Sequence, residues 1–126
     1  MHKIIMSLKN RPKTIFCDID GVLIEHCGDI SIQSKIEPKI LDGVIDNLKQ
    51  WDMKGYKIIL TTGRKESMRK DTEEQLRKCN IFYDYLLMGI TGGVRVVIND
   101  RKLNSSEDTA IAICVDRNEG LKNIDI

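Results

Sequence analysis

Two carboxylates stand two residues apart, Asp18 and Asp20, directly after the short apolar run Thr14-Ile15-Phe16-Cys17 and before Gly21. On extended backbone, residues i and i+2 point to the same side, so both carboxylates face one way while Ile19 faces the other. Like charges held that close repel, which raises one pKa unless a cation lies between them. A third carboxylate, Asp100, follows the apolar run Val94 to Ile98 and Asn99. Three such groups brought together form an oxygen-rich site suited to a hard cation, Mg2+. A further apolar run, Tyr56 to Leu60, stops at Thr61-Thr62-Gly63-Arg64-Lys65. Its hydroxyls and the backbone amides around Gly63, placed at a helix start, suit phosphate oxygens. Carboxylates, a hard cation and an anion cradle together describe phosphoryl transfer, with one Asp as nucleophile and the other as acid/base.

These clusters act together only if a scaffold brings the ends of several strands to one edge. Thr14 to Cys17 and Tyr56 to Leu60 read as buried strands. Between them Ile40, Leu41, Val44, Ile45, Leu48 and Trp51 recur at helical spacing, with Pro38 in the first turn and Gly55 as the stop. The stretch 22–37 lacks a period and reads as a loop or small hairpin. Lys65 to Cys79 is a charged helix whose Met68, Thr72, Leu76 and Cys79 form one narrow stripe. Tyr83 to Met88, Val94 to Ile98 and Ala110 to Val115 complete the pattern as further strands. Alternating strands and helices predict an α/β fold, a mostly parallel sheet flanked by helices, with ligands gathered beyond the carboxyl ends of the strands.

Phe16-Cys17-Asp18-Ile19-Asp20-Gly21-Val22-Leu23 resembles the first motif of the haloacid dehalogenase superfamily of phosphatases. Ile58-Ile59-Leu60-Thr61-Thr62-Gly63-Arg64 resembles the second motif, and Val96-Val97-Ile98-Asn99-Asp100 the fourth, in the right order across residues 14–104. The resemblance implies a Rossmann-like fold in which Asp18 attacks phosphorus to form an aspartyl-phosphate. By the same resemblance Asp20 protonates the leaving oxygen and then activates water. It implies Mg2+ held by the Asp18 carboxylate, the Asp20 carbonyl and Asp100, with Asn99 or Asn104 reaching it through water. Thr61 and the Thr62 amide are expected on the phosphoryl oxygens, with Gly63, Arg64 and Lys65 beside them. The superfamily's lysine between the second and fourth motifs is missing from Gly89 to Arg95. Arg64, Lys65 or Arg95 is left to supply that charge, although on a regular strand Arg95 lies about 13 Å from Asn99.

Length and composition set bounds on the rest. The 126 residues suit one domain, 1–126, and neither the roughly sixteen residues after Gly21 nor the roughly twenty after Cys79 can fold as a cap. The resulting open site depends on the 22–37 loop, on a neighbouring subunit or on the substrate to exclude water. With 20 Lys+Arg against 19 Asp+Glu, and 5% aromatic residues, the charge balance argues against nucleic acid as partner. No run spans a membrane, and Met1 to Lys13 lacks the apolar core of a signal peptide, so a frayed lead-in and a cytoplasmic location are expected. Cys17, Cys27, Cys79 and Cys114 have no metal-site spacing and read as reduced thiols, mostly buried. His2 and His26 have no partner spacing, and no ligand role is assigned to them. The expected substrate is a small phosphate ester such as a sugar phosphate, with a homo-oligomer covering the open site. Three alternatives stay open: a polynucleotide end-processing phosphatase, a phosphotransferase, and a non-catalytic binding domain of the same fold.

Overall fold

The computed structural model describes residues 11–126, and of the expected lead-in only 11–13 fall among them. Three strands, β1 (Thr14–Asp18), β2 (Lys57–Thr61) and β3 (Tyr85–Leu87), form one parallel sheet in the order β1-β2-β3. Between the first two lie α1 (Ile30–Gln33) and α2 (Val44–Met53), and between the last two a 3-10 turn (Glu66–Met68) runs into α3 (Arg69–Lys78). The α/β class and the parallel pairing are those expected from the sequence.

Register explains the shape of the core. Ile15 pairs with Ile58, Cys17 with Leu60 and Leu60 with Leu86, so all five point to one face, and all five are buried. Leu48 and Trp51 of α2 and Leu76 of α3 join them in one cluster. The opposite face carries Phe16, Ile59 and Tyr85 in register, and there Phe16 is 56% and Tyr85 63% exposed. The strand order accounts for this asymmetry. Right-handed crossovers that advance steadily from β1 to β3 place every helix on the same side. Covering the second face requires strands beyond β1, where the order reverses.

The sequence predicts those strands at Val94 to Ile98 and Ala110 to Val115, and the structure forms neither. Residues 91–104 are all exposed, with Val94 at 93% and Ile98 at 92%. The segment projects as an arm whose tip is closed by Asn99 Nδ2 donating to the Thr109 carbonyl and by an Arg101–Asp108 ion pair. Both of its ends are anchored. Gly89 and Ile90 donate to the carbonyls of Arg64 and Thr62, and Asn118 donates to that of Gly21.

The first long helix also starts later than its periodicity suggests. Ile40 forms an antiparallel bridge with Ile24, with Glu25 N–H donating to the Lys39 carbonyl and Leu41 N–H to the Leu23 carbonyl. Pairing with the chain after β1 outweighs helix propensity there. The helix begins only after Gly43, and it stops with Gly55 in the left-handed region, as expected. In the 22–37 loop Asp29 caps α1 by accepting from Ser31. Cys17 and Cys79 are buried thiols, whereas Cys27 and Cys114, both outside the core, are exposed.

The chain beyond the arm packs on the start of α2. Leu121 donates to the Asp42 carbonyl, and Asn47 Nδ2 donates to those of Gly43 and Leu121. Gly120 sits at φ +77°, and a Cβ added there lies 2.2 Å from the Asp42 carbonyl oxygen. Gly120→Ala therefore combines backbone strain with a clash against main chain, and is expected to cost at least about 2 kcal/mol. Urea unfolding checks this, and an unchanged midpoint refutes it. No helix among the described residues is long and apolar enough to cross a membrane.

Candidate active site

The carboxyl ends of β1 and β2 meet in register, Asp18 opposite Thr61. Both lie at the site edge on the uncovered face, half-buried. Burial pushes the Asp18 carboxyl above the usual range; the Ile19 backbone N–H opposes this, Asp20 adds to it, and Arg95 and His26 oppose it. A carboxylate that is partly desolvated and acted on by the Arg95 charge has the surroundings of a poised nucleophile. The neighbouring Cys17 thiol is pushed up to about 12 by burial and by the charge of Asp18, so it stays protonated and inert.

Asp20 is placed differently from Asp18. The chain turns sharply at Ile19, whose carbonyl accepts from Val22, Leu23 and Ile24, and Gly21 stands at φ +87°. This turn ends the strand and carries the Asp20 carboxylate inward. There Arg64 grips it through Nε to Oδ2 at 2.9 Å and a second nitrogen to Oδ1 at 2.7 Å. The Arg64 side chain is fully buried and that of Asp20 is 7% exposed. The remaining Arg64 nitrogen donates to Thr72 Oγ1 and Gln75 Oε1, and Gln75 in turn donates to the carbonyls of Gln33 and Ile36. Gln33 closes the network by bonding Cys27 N and the Glu25 carbonyl. One buried network thus ties the first motif to the second, to α3 and to the 22–37 loop. Among the described residues it leaves no buried side-chain donor or acceptor unsatisfied.

This corrects the expected phosphate cradle. Arg64 orients Asp20 rather than facing outward toward a phosphate. The Thr62 backbone N–H is taken up by the Leu87 carbonyl, and its hydroxyl, which accepts from the Arg64 N–H, is buried away from the surface. What remains is the Thr61 hydroxyl and the Gly63 N–H, neither of which has a partner among the described residues. Lys65 is exposed at the rim, and the 3-10 turn separates it from α3. Arg95 moves the other way. Freed from a strand, it folds back so that its guanidinium bonds the Thr91 and Gly93 carbonyls and its charge reaches Asp18.

Asp100 is not brought to the site. It is exposed in the arm and pairs with Lys102 at 3.0 Å, which holds its carboxyl below the usual range. Asn99 and Asn104 lie in the same exposed stretch. The implied Mg2+ needs a third oxygen ligand beside Asp18 and the Asp20 carbonyl, and no three His, Cys, Asp or Glu side chains converge among the described residues. The residues as arranged in one chain do not fit the ion.

Two residues at the mouth were not singled out by the sequence. His26 N donates to Asn118 Oδ1 at 2.7 Å and its carbonyl accepts from Asn118 Nδ2, a reciprocal pair spanning 92 residues. This sets Arg117 against the motif, 3.2 Å from the point where a Gly21 side chain would begin. Neither contact has a local pattern that sequence could reveal.

The comparisons agree with this architecture. A chain in a structure of the Pnkp1/Rnl/Hen1 complex is 36% identical with a TM-score of 0.56, covering 68% of this chain and 30% of that one. A chain in a structure of the Pnkp1/Rnl/Hen1 RNA repair complex is 35% identical with a TM-score of 0.52, covering 67% and 28%. The protein thus spans less than a third of the solved chains it matches. No curated protein matches it. The family described as PITM 1-3, LNS2 domain, a haloacid dehalogenase-like phosphatase domain, matches residues 15–105. Because that span is most of the sequence and includes Asp18, Asp20, Thr61 and Asp100, the chain belongs to the LNS2-domain family.

Proposed function

We propose that the protein is a phosphomonoester hydrolase with Asp18 as nucleophile, acting on a small phosphorylated metabolite such as a sugar phosphate. The observation that carries this reading is the register pair Asp18–Thr61, a partly desolvated carboxylate beside a hydroxyl that has no partner among the described residues, at one strand edge. In the reaction an Asp18 oxygen bonds to phosphorus as the ester P–O bond breaks, and Asp20 gives the departing oxygen a proton. Water then cleaves the aspartyl-phosphate, returning the proton to Asp20 and releasing phosphate. Both Asp20 oxygens accept from Arg64, so one must leave the guanidinium when Asp20 carries its proton. Thr61 and the Gly63 N–H hold phosphoryl oxygens.

A second reading is a polynucleotide end-processing phosphatase. The likeness to chains of an RNA repair complex favours it, and the uncovered sheet face leaves room for a bulky phosphate-bearing end. Near-neutral charge weighs toward the small metabolite. Phosphate release from sugar phosphates, nucleotides and 3′- or 5′-phosphorylated oligonucleotides, with magnesium and with chelator, separates the two. Fastest release from sugar phosphates is expected. Fastest release from oligonucleotide ends selects the second reading, and no release from any member refutes both.

A further inference from the structure

We infer that the active site is shared between two copies of the chain, the arm of one laying Val94–Ile98 along the free edge of β1 in the other and delivering Asp100 to Asp18. The inference rests on the proposed hydrolase only in giving Asp100 a role; the pairing itself stands on reach and burial. Among the described residues no strand pairs with the outer edge of β1, and β1 and Val94–Ile98 are each five residues long. Paired in parallel, the two end together and set Asn99-Asp100 beside the turn at Ile19 and Asp20.

The chain cannot make this pairing with itself. Ile90 is fixed beside Thr62 at the carboxyl end of the sheet by its bond to the Thr62 carbonyl. From there Val94 must reach the level of Thr14, at the far end and beyond β1, a path of at least about 19 Å at 3.3 Å per residue and 4.8 Å per strand. The four steps from Ile90 to Val94 cover at most about 14 Å fully extended. Parallel neighbours ordinarily need a crossover of a dozen or more residues, and only residues 88–93 separate β3 from the arm. An antiparallel return is shorter, but it carries Asp100 to the wrong end of the sheet.

A second copy has no such restriction, and what each copy leaves in water fits what the other offers. Val94, Val96, Val97 and Ile98 are exposed on the arm, while Phe16 and Tyr85 are exposed on the sheet. An exposed apolar edge strand of this kind is a ready template for pairing with another chain. Reciprocal exchange of the two arms closes with two-fold symmetry and leaves no open end.

The test uses the whole chain. Sedimentation equilibrium is expected to give a dimer at micromolar concentration that Ile98→Lys converts to monomer. Cross-linking of a mixture of light and 15N-labelled chains is expected to join residues of β1 to residues of the arm only between copies. Asp18→Asn and Asp100→Asn, each inactive alone, are expected to recover about a quarter of wild-type phosphate release when coexpressed, because half the dimers are mixed and each carries one intact site. A monomeric wild type, a dimer whose β1-to-arm cross-links lie within one copy, or a mixture as inactive as its components overturns the inference. If the wild type releases no phosphate, the hydrolase reading falls while oligomeric state and cross-links still decide the exchange.

Discussion

Asp18→Asn is expected to lower phosphate release by more than about 10³-fold, because an amide cannot form the acyl-phosphate. In chelator at neutral pH the same variant is expected to melt higher than the wild type. Burial, with the charge of Asp20 behind it, raises the Asp18 carboxyl above its unfolded value. A carboxyl whose folded pKa is raised contributes stability that is fully present below the unfolded pKa and is lost as pH rises through the folded pKa. At neutral pH the buried charge is therefore a cost, which the neutral amide removes. Well below the unfolded pKa both proteins hold a neutral group, and their melting temperatures should converge. Phosphate-release assays and thermal scans at the two pH values test both halves. Retained activity, or a variant that melts lower at neutral pH, refutes the assignment.

Arg64→Met is expected to have the largest effect on stability. It leaves the Asp20 carboxylate in a site 7% exposed, with Thr72 and Gln75 each missing a partner. Breaking a buried pair in this way costs about 3–5 kcal/mol, a fall in Tm on the order of 10–20 °C for a chain of this length. Arg64→Lys keeps the charge and loses the fork, so it should recover only part of the loss. Replacing both partners, Arg64→Met with Asp20→Leu, removes the stranded charge and should melt above Arg64→Met alone. A single variant as stable as wild type refutes the view that this pair holds the first and second motifs together. Calorimetry of the four proteins decides it.

Local pattern carried much of the fold and part of the site. β1 and β2 were legible because β-branched runs stop at polar clusters, and the stop of α2 was legible because Gly55 needs the left-handed region. Asp18 and Thr61 follow from the same strand ends. The inward turn of Arg64 was not legible, since its partners Asp20, Thr72 and Gln75 come from three separate segments and nothing in Thr-Thr-Gly-Arg distinguishes an outward guanidinium from a clamp. The runs at Val94 to Ile98 and Ala110 to Val115 have strand composition without a strand. Composition reports what a segment would bury, whereas pairing depends on whether the connection before it is long enough to reach an edge. The delayed start of α2 has a related cause, because the bridge from Ile40 to Ile24 is a contact that helical periodicity cannot reveal.

The bond between Asn118 and His26 also bears on how the protein is made. The loop after Asp20 takes its final hydrogen bonds from a residue 92 positions later, so during synthesis the segment that carries Asp18 is made long before the mouth beside it can close. Contacts so distant in sequence form late and slow the final step of folding. A nascent chain arrested before Asn118 would carry the segments of β1, β2 and β3 without the His26–Asn118 pair. The loop beside Asp18 therefore takes its final shape only as the segment Asp116 to Leu121 emerges.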